Sequence, residues 1–218
     1  MFERDNSGSM TFASREDAGQ KLGRQLAGAG VEADLVLGLP RGGVVVAAEV
    51  ARILQRPLSV LVVRKIGHPR HREFAVGALA DNGVIVLDKD VMTSSGVDRT
   101  ELDEVITEET ERLRHYQSEF RQTSLPDLRD KRVLIVDDGL ATGATTEAAV
   151  LSAGKQAAGK VIVAVPVASI NGVARLSSVA DQVISLLTDP GFDAVGRYYR
   201  VFPQTTDEEV IELLRAQN

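Results

Sequence analysis

Two adjacent carboxylates, Asp137 and Asp138, end the apolar run Val133, Leu134, Ile135 and Val136. The small-residue loop Gly139, Leu140, Ala141, Thr142, Gly143, Ala144, Thr145 and Thr146 follows them. A short unbroken apolar run reads as a strand buried on both faces of a parallel sheet. The carboxyl end of such a strand is where an open α/β sheet presents ligand-binding groups. The alanine-rich stretch beyond Thr146 reads as a helix. A helix N-terminus offers unpaired N–H groups and the positive end of its dipole to a phosphate. Carboxylates beside a phosphate cup suit a ligand with both hydroxyls and a phosphate, and a ribose 5-phosphate is such a ligand. An ordinary strand-to-helix connection could also end in Asp and be capped by Thr. The doubled acid, the Thr-Gly pair and the second pair of threonines exceed what capping requires. No Gly-Lys-Ser/Thr follows the glycines, so this is not a Walker A loop. The G-x-G-x-x-G spacing of a dinucleotide fingerprint is also missing.

Three further groups of residues could serve such a ligand. Pro40, Arg41, Gly42 and Gly43 break the apolar run 35–39. Two glycines let backbone N–H groups approach an anion closely, and Arg41 adds a forked positive charge. The segment 64–72, RKIGHPRHR, concentrates Arg64, Lys65, Arg70 and Arg72 with His68 and His71 in an otherwise acidic chain. A solvated surface loop explains it most plainly. A nucleic-acid patch or a His-x-x-His zinc half-site explains it less well, since no further ligand cluster accompanies the histidines. Glu73, just beyond, could be a general acid or a salt-bridge partner. Near the C-terminus, Phe192, Tyr198, Tyr199 and Phe202 make up four of the nine aromatic residues. These rings either pack the end of the sheet or face a ligand.

The elements that must position these groups alternate in type. Ser14, with Asp17 three residues on, resembles a capping box opening a helix over 15–27, with Ala18, Leu22 and Leu26 on one face. Strands are expected at 35–39, 58–63, 84–87, 133–136, 161–167 and 183–187. Helices are expected at 44–54, 97–120, 146–157 and 172–178, with a last one from about Thr206, where Glu208 and Glu209 occupy the first turn. Residues 64–82 show little periodicity, and 188–203 read as loop. Alternation of this kind predicts a parallel α/β sheet with right-handed crossovers.

Composition bounds the rest. At 218 residues, 44% of them hydrophobic, the chain suits one domain (11–218) behind a loose polar leader over 1–10. A formal charge of −6 argues against a general nucleic-acid binder. The absence of cysteine excludes disulfides and thiol chemistry. No apolar run approaches the length of a membrane span, and no signal peptide is evident, so a cytoplasmic location and no membrane partner are expected.

The string of apolar strand, Asp-Asp, three residues and Thr-Gly-Ala-Thr resembles the diphosphoribosyl-binding motif of the type I phosphoribosyltransferases. The resemblance implies their fold, a parallel sheet flanked by helices with a small C-terminal hood, here at about 188–205. It implies transfer of ribose 5-phosphate from phosphoribosyl diphosphate to a nitrogen acceptor, with release of pyrophosphate and with Mg²⁺ as cofactor. Asp137 and Asp138 would then take the ribose hydroxyls, directly or through Mg²⁺. Gly139 and Ala141 to Thr145 would wrap the 5-phosphate. Pro40, Arg41, Gly42 and Gly43 would bind pyrophosphate with Arg64 and Lys65, the latter from a mobile loop, and a cis peptide would join Pro40 to Arg41. Phe192 and Tyr198 of the hood would meet the acceptor base. Catalysis would rest on Asp137, Asp138, Arg41 and Lys65. The expected partners are phosphoribosyl diphosphate, a small nitrogenous acceptor such as a nucleobase, and a second copy of the chain in a homodimer. Ala141 stands where the 6-oxopurine enzymes carry an Asp, which makes hypoxanthine or guanine a poorer expectation without naming the acceptor. The alternative is a regulatory protein that binds phosphoribosyl diphosphate without turning it over.

Overall fold

The computed structural model of the chain describes residues 11–120 and 126–217; the leader expected over 1–10 lies outside them. Helix α1 (Arg15–Gly28) opens at Ser14, whose hydroxyl accepts from the Asp17 N–H. The return bond of the expected capping box is displaced by one residue, because the Asp17 carboxylate takes the N–H of Ala13. Strand β1 (Leu35–Gly38) leads through the Pro40-Arg41 turn into α2 (Gly42–Leu54), which starts two residues earlier than its sequence pattern suggests. Helices α1 and α2 pack closely: a β-carbon on Gly19 would lie 2.7 Å from the Val46 carbonyl oxygen.

The run expected as one strand at 58–63 is divided. Strand β2 (Leu58–Val60) pairs parallel to β1, and the chain then leaves that sheet to begin β3 (Val63–His68). The expected loop at 64–82 is instead a hairpin of β3 with β4 (His71–Ala80), extended by β5 (Val84–Leu87) into an antiparallel sheet of order β3-β4-β5. Its period is hidden in the sequence for two reasons. Charged residues fill the tip, and register shifts on either side of Gly67 break the alternation of in and out. Helix α3 (Lys89–Ser95), capped by Asp88, has no counterpart among the expected elements. The helix expected over 97–120 begins as a 3₁₀ turn (Thr100–Leu102) and becomes α4 (Asp103–Phe120).

From there the chain follows its sequence pattern, with β6 (Arg132–Val136), α5 (Ala144–Lys155), β7 (Lys160–Ser169), α6 (Ile170–Leu176) and β8 (Gln182–Asp189). A 3₁₀ turn (Val195–Tyr198) crosses the hood region, and α7 (Asp207–Ala216) closes the described chain behind a full capping box of Thr206 and Glu209. The main sheet is all parallel, in the order β2-β1-β6-β7-β8. Its central strands are apolar on both faces. Val133 and Ile135 of β6 point into one core with Ala149, Ala153 and Val163, while Leu134 and Val136 point into the other with Val46, Val50 and Ile162. Burial on two sides replaces alternation with a continuous apolar run, which is why these strands are legible. Each such side chain contributes about 1.5–3 kcal/mol by leaving water. No described helix is long and apolar enough to cross a membrane.

Candidate active site

The site follows from the strand order. From β1 the chain runs outward to β2 on one side, and β6 resumes the sheet on the other side of β1. The loops after β1 and β6 therefore diverge above two neighbouring strands, the switch point where open α/β sheets bind ligands. The backbone joins the two loops directly, since the Leu39 N–H donates to the Val136 carbonyl at 3.0 Å. The peptide bond between Pro40 and Arg41 is cis, as the resemblance implies. Gly42 and Gly43 then pass against the carboxylates. A β-carbon on Gly43 would lie 2.7 Å from Asp137 Oδ1, and one on Gly42 would overlap Asp138 Oδ2 and stand 2.6 Å from Arg15 Nε. Glycine is required here by proximity.

The two carboxylates are held differently. Asp137 Oδ1 accepts the Asp138 N–H at 2.8 Å. Asp138 Oδ2 accepts from Arg15 Nε at 2.7 Å, with Arg15 9% and Asp138 17% exposed. Burial, then the charge of Asp138, pushes the Asp137 carboxyl well above the usual carboxylate range, against the pull of Lys65 and Arg15. Burial raises Asp138 as well, and its bond to Arg15 opposes the rise. A desolvated pair of mutually repelling carboxylates is costly unless a cation or hydrogen-bond donors compensate it.

Arg15 carries no motif, and the sequence marks it only as the first residue of a helix. Its Nη1 donates to the Pro203 carbonyl at 2.6 Å, and its guanidinium lies 3.7 Å from the centre of the Phe202 ring. The contact is delivered by a short backbone pairing: Phe12 N–H donates to Tyr198 O at 2.7 Å, and Arg200 N–H to Phe12 O at 2.8 Å. The Tyr199 hydroxyl adds a bond to the Asp138 carbonyl. The hood is thereby tied to the carboxylate pair.

The loop after Asp138 is anchored on β7. Leu140 N–H donates to Val167 O, Ser169 N–H donates to Leu140 O, and the Ser169 hydroxyl donates to Ala141 O at 2.5 Å. Gly143, at φ +80°, turns the chain into α5 and supplies no side-chain cap. The first N–H groups of a helix have no partner within it, so a ligand can take them. Ala141 and Thr142 are exposed, Ala144 and Thr145 are half-buried, and Thr146 is buried. Glu147, an acid close to this end, is paired by Arg175, which also holds Asp88.

Beside the two loops lies a cavity of about 660 Å³, lined by Pro40, Arg41, Arg64, Lys65 and Thr145 together with the hairpin and α4. Five of the residues picked from the sequence, Pro40, Arg41, Arg64, Lys65 and Thr145, thus share one cavity wall. Arg41 Nη1 lies 3.9 Å from Asp207 Oδ1, a buried oxygen without a hydrogen-bond partner. Arg64 is engaged by Glu109. His68 is buried and its Nδ1 accepts the Arg70 N–H, whereas His71 and Glu73 are exposed, Glu73 on the cavity wall. Among the described residues no group of three or more acids and histidines could hold a metal ion. In the hood, Tyr198 is 4% exposed, with its ring stacked on Phe192 at 5.4 Å and its hydroxyl on Asp189. Tyr198 is therefore a packing residue here, whereas Phe192 is half-buried and Phe202 is exposed.

The phosphoribosyl transferase domain family matches residues 13–195, a span that holds both loops and the carboxylate pair. The chain belongs to that family. Its similarity extends to a Mycobacterium tuberculosis protein whose own assignment as a phosphoribosyl transferase is provisional, 45% identical over 205 residues, or 93% of this chain. The chain spans about half, 46%, of that relative's length. The crystal structure of TT1426 from Thermus thermophilus superposes with a TM-score of 0.78 at 41% identity, over 95% of this chain and 99% of that one. A Neisseria gonorrhoeae protein solved with bound ppGpp shares the fold at a TM-score of 0.52 and 14% identity, over 100% of this chain and 99% of that one. A phosphoribosyl transferase domain thus carries the parallel five-stranded sheet and the two loops described above.

Proposed function

We propose that the protein transfers ribose 5-phosphate from the Mg²⁺ complex of phosphoribosyl diphosphate to a nitrogen acceptor, a nucleobase or a similar ring, and releases pyrophosphate. The observation that carries this reading is the half-buried pair Asp137 and Asp138 at the switch point, with an uncapped helix N-terminus on one side and the Arg41 loop on the other. The 5-phosphate lies against Gly139 and Ala141 to Thr145, on the N–H groups of α5. The ribose hydroxyls face the carboxylates. The pyrophosphate lies against Pro40, Arg41, Gly42 and Gly43, with Lys65 arriving from the hairpin and Arg64, its neighbour, engaged by Glu109.

The residues present fit Mg²⁺. Two desolvated carboxylates, each with one oxygen already bonded, can add little more than one ligand apiece, and Mg²⁺ commonly keeps its waters and takes few protein ligands. Bound there with the diphosphate, the ion would neutralise charge on the leaving group. The chain itself performs the rest. As the bond from C1 to the pyrophosphate oxygen breaks, its electron pair leaves with pyrophosphate, and the acceptor nitrogen supplies the pair that forms the new bond at C1 and gives its proton to water. The sugar passes through an oxocarbenium-like state. Asp137 and Asp138 stabilise its positive charge, and Arg41 and Lys65 stabilise the departing negative charge. On the acceptor side, Phe192 and the hood backbone are the groups at hand, and Tyr198 acts by holding Phe192 in place. The carbonyl of Ala141 is held by Ser169, and its side chain offers no general base. Salvage of a nucleobase is the metabolic role that suits this chemistry.

A panel of nucleobases and related nitrogen heterocycles, followed by pyrophosphate release in the presence of Mg²⁺ and phosphoribosyl diphosphate, tests the proposal. Release that depends on one acceptor is expected. Tight binding of phosphoribosyl diphosphate with no release for any acceptor would instead establish a binding or regulatory protein.

A further inference from the structure

The three arginines of the hairpin each meet a glutamate of the segment opposite: Arg64 with Glu109 at 2.9 Å, Arg70 with Glu101 at 2.9 Å and Arg72 with Glu108 at 3.2 Å. Glu101 lies in the 3₁₀ turn before α4, and Glu108 and Glu109 lie on α4 itself. The Arg70 and Arg72 pairs are exposed and hold the hairpin weakly. The Arg64 pair is different. The Glu109 carboxylate is 8% exposed and also binds Arg112 Nη1 at 2.6 Å, while the Arg64 guanidinium lies 5.1 Å from the Tyr116 ring. Without Arg64 the sheltered Glu109 carboxylate would keep only Arg112, and without Glu109 the 30% exposed Arg64 would lose the contact that fixes its direction. Lys65 follows Arg64 directly on β3. Successive residues of a strand project to opposite sides, so a clamp on Arg64 fixes where Lys65 points. Lys65 lines the same cavity as Pro40, Arg41 and Thr145.

We infer that Glu109 is a positioning residue: by locking Arg64 onto α4 it orients strand β3, so that Lys65 is the hairpin cation presented to the diphosphate. The inference rests on the site being a phosphoribosyl diphosphate site, as proposed above. It gives Arg64 a structural task and places the electrostatic one on its neighbour. The opposite arrangement, in which Arg64 is a diphosphate ligand held back by Glu109, predicts effects of opposite sign.

Calorimetric titration of Glu109→Gln and wild type with Mg²⁺-phosphoribosyl diphosphate, pyrophosphate and ribose 5-phosphate separates the two. A mis-set lysine should cost the variant roughly ten- to hundredfold in affinity for the two diphosphate ligands, as small displacements at a binding centre do. Affinity for ribose 5-phosphate, which does not reach Lys65, should stay within about twofold of wild type. The double variant Arg64→Gln/Glu109→Gln should lose no more than Glu109→Gln alone. Unchanged or tighter diphosphate binding by Glu109→Gln, or an equal loss for ribose 5-phosphate, would overturn the inference. Should Glu109→Gln fail to fold, Glu109→Asp, which withdraws the charge by one methylene, carries the same opposed expectations. If wild type binds none of the three ligands, the proposed site falls and the inference with it. If wild type binds and the variant binds equally well, only the inference falls.

Discussion

At the scale of single residues, the decisive group is a half-buried carboxylate beside a second one. Asp137 has its proton affinity raised above the ordinary aspartate value of 3.8 by burial and by Asp138. A folded state that holds a proton more tightly than the unfolded chain is most stable at low pH and loses that advantage as pH rises through the folded value. Asp137→Asn should therefore gain stability over wild type as pH rises above the ordinary aspartate value of 3.8. Asn Oδ1 can still accept the Asp138 N–H. The same change should abolish most binding of Mg²⁺-phosphoribosyl diphosphate. Urea unfolding at several pH values, paired with calorimetry, checks both halves, and a stability gap that stays flat with pH would remove Asp137 as the perturbed group. Asp137, Asp138, Arg41 and Lys65 are all legible in the sequence because their motifs are local. Arg15 is not, because its partner lies 123 residues away and its own neighbourhood says only that a helix begins.

At the scale of elements, the two strand-to-helix loops are built by contact between them. Gly42→Ala places a methyl group on Asp138 Oδ2 and Arg15 Nε, so the α2 turn or the ion pair must shift. We expect a loss of about 1–3 kcal/mol, the usual cost of overpacking, together with weakened pyrophosphate binding. Gly154→Ala in α5 meets nothing within 4 Å and should be neutral or stabilising by up to about 1 kcal/mol. Denaturant midpoints of the two variants provide the comparison, and equal behaviour would mean that the loop tolerates the methyl group. The buried parallel strands can be read from sequence because both faces are apolar. The hairpin cannot, because its tip is charged and its alternation is broken at Gly67. Its arginines make sense only beside the glutamates of α4, and a sequence scan meets those as a separate acidic helix.

At the scale of the molecule, the ligand should act as a bolt between regions that meet at one point: α1 and the hood through Arg15, β1 through its glycine loop, and β6 and α5 through the loop that joins them. Ligand at a hundredfold excess over its dissociation constant adds about 2.7 kcal/mol to stability by mass action. For a chain of this size that raises the melting temperature by about 5–10 °C. Calorimetric melting with and without Mg²⁺-phosphoribosyl diphosphate measures it, and an unmoved transition at millimolar ligand would count against the whole site. The relatives twice as long as this chain carry the domain within a larger protein, and the shift tests the domain by itself.

By itself the sequence determined what is written within a few residues. That covers the central strands as continuous apolar runs, the acid pair at the end of one of them, the two glycine-bearing loops, and a parallel α/β sheet that would set those loops together. Only the tertiary structure decided that the basic segment is a hairpin in a second sheet, that its arginines are matched by glutamates of α4 and the turn before it, and that Arg15 grips Asp138. Local pattern reports which side of an element is apolar. Partnership between charges distant in the chain is set by how the elements pack, and no periodicity records it.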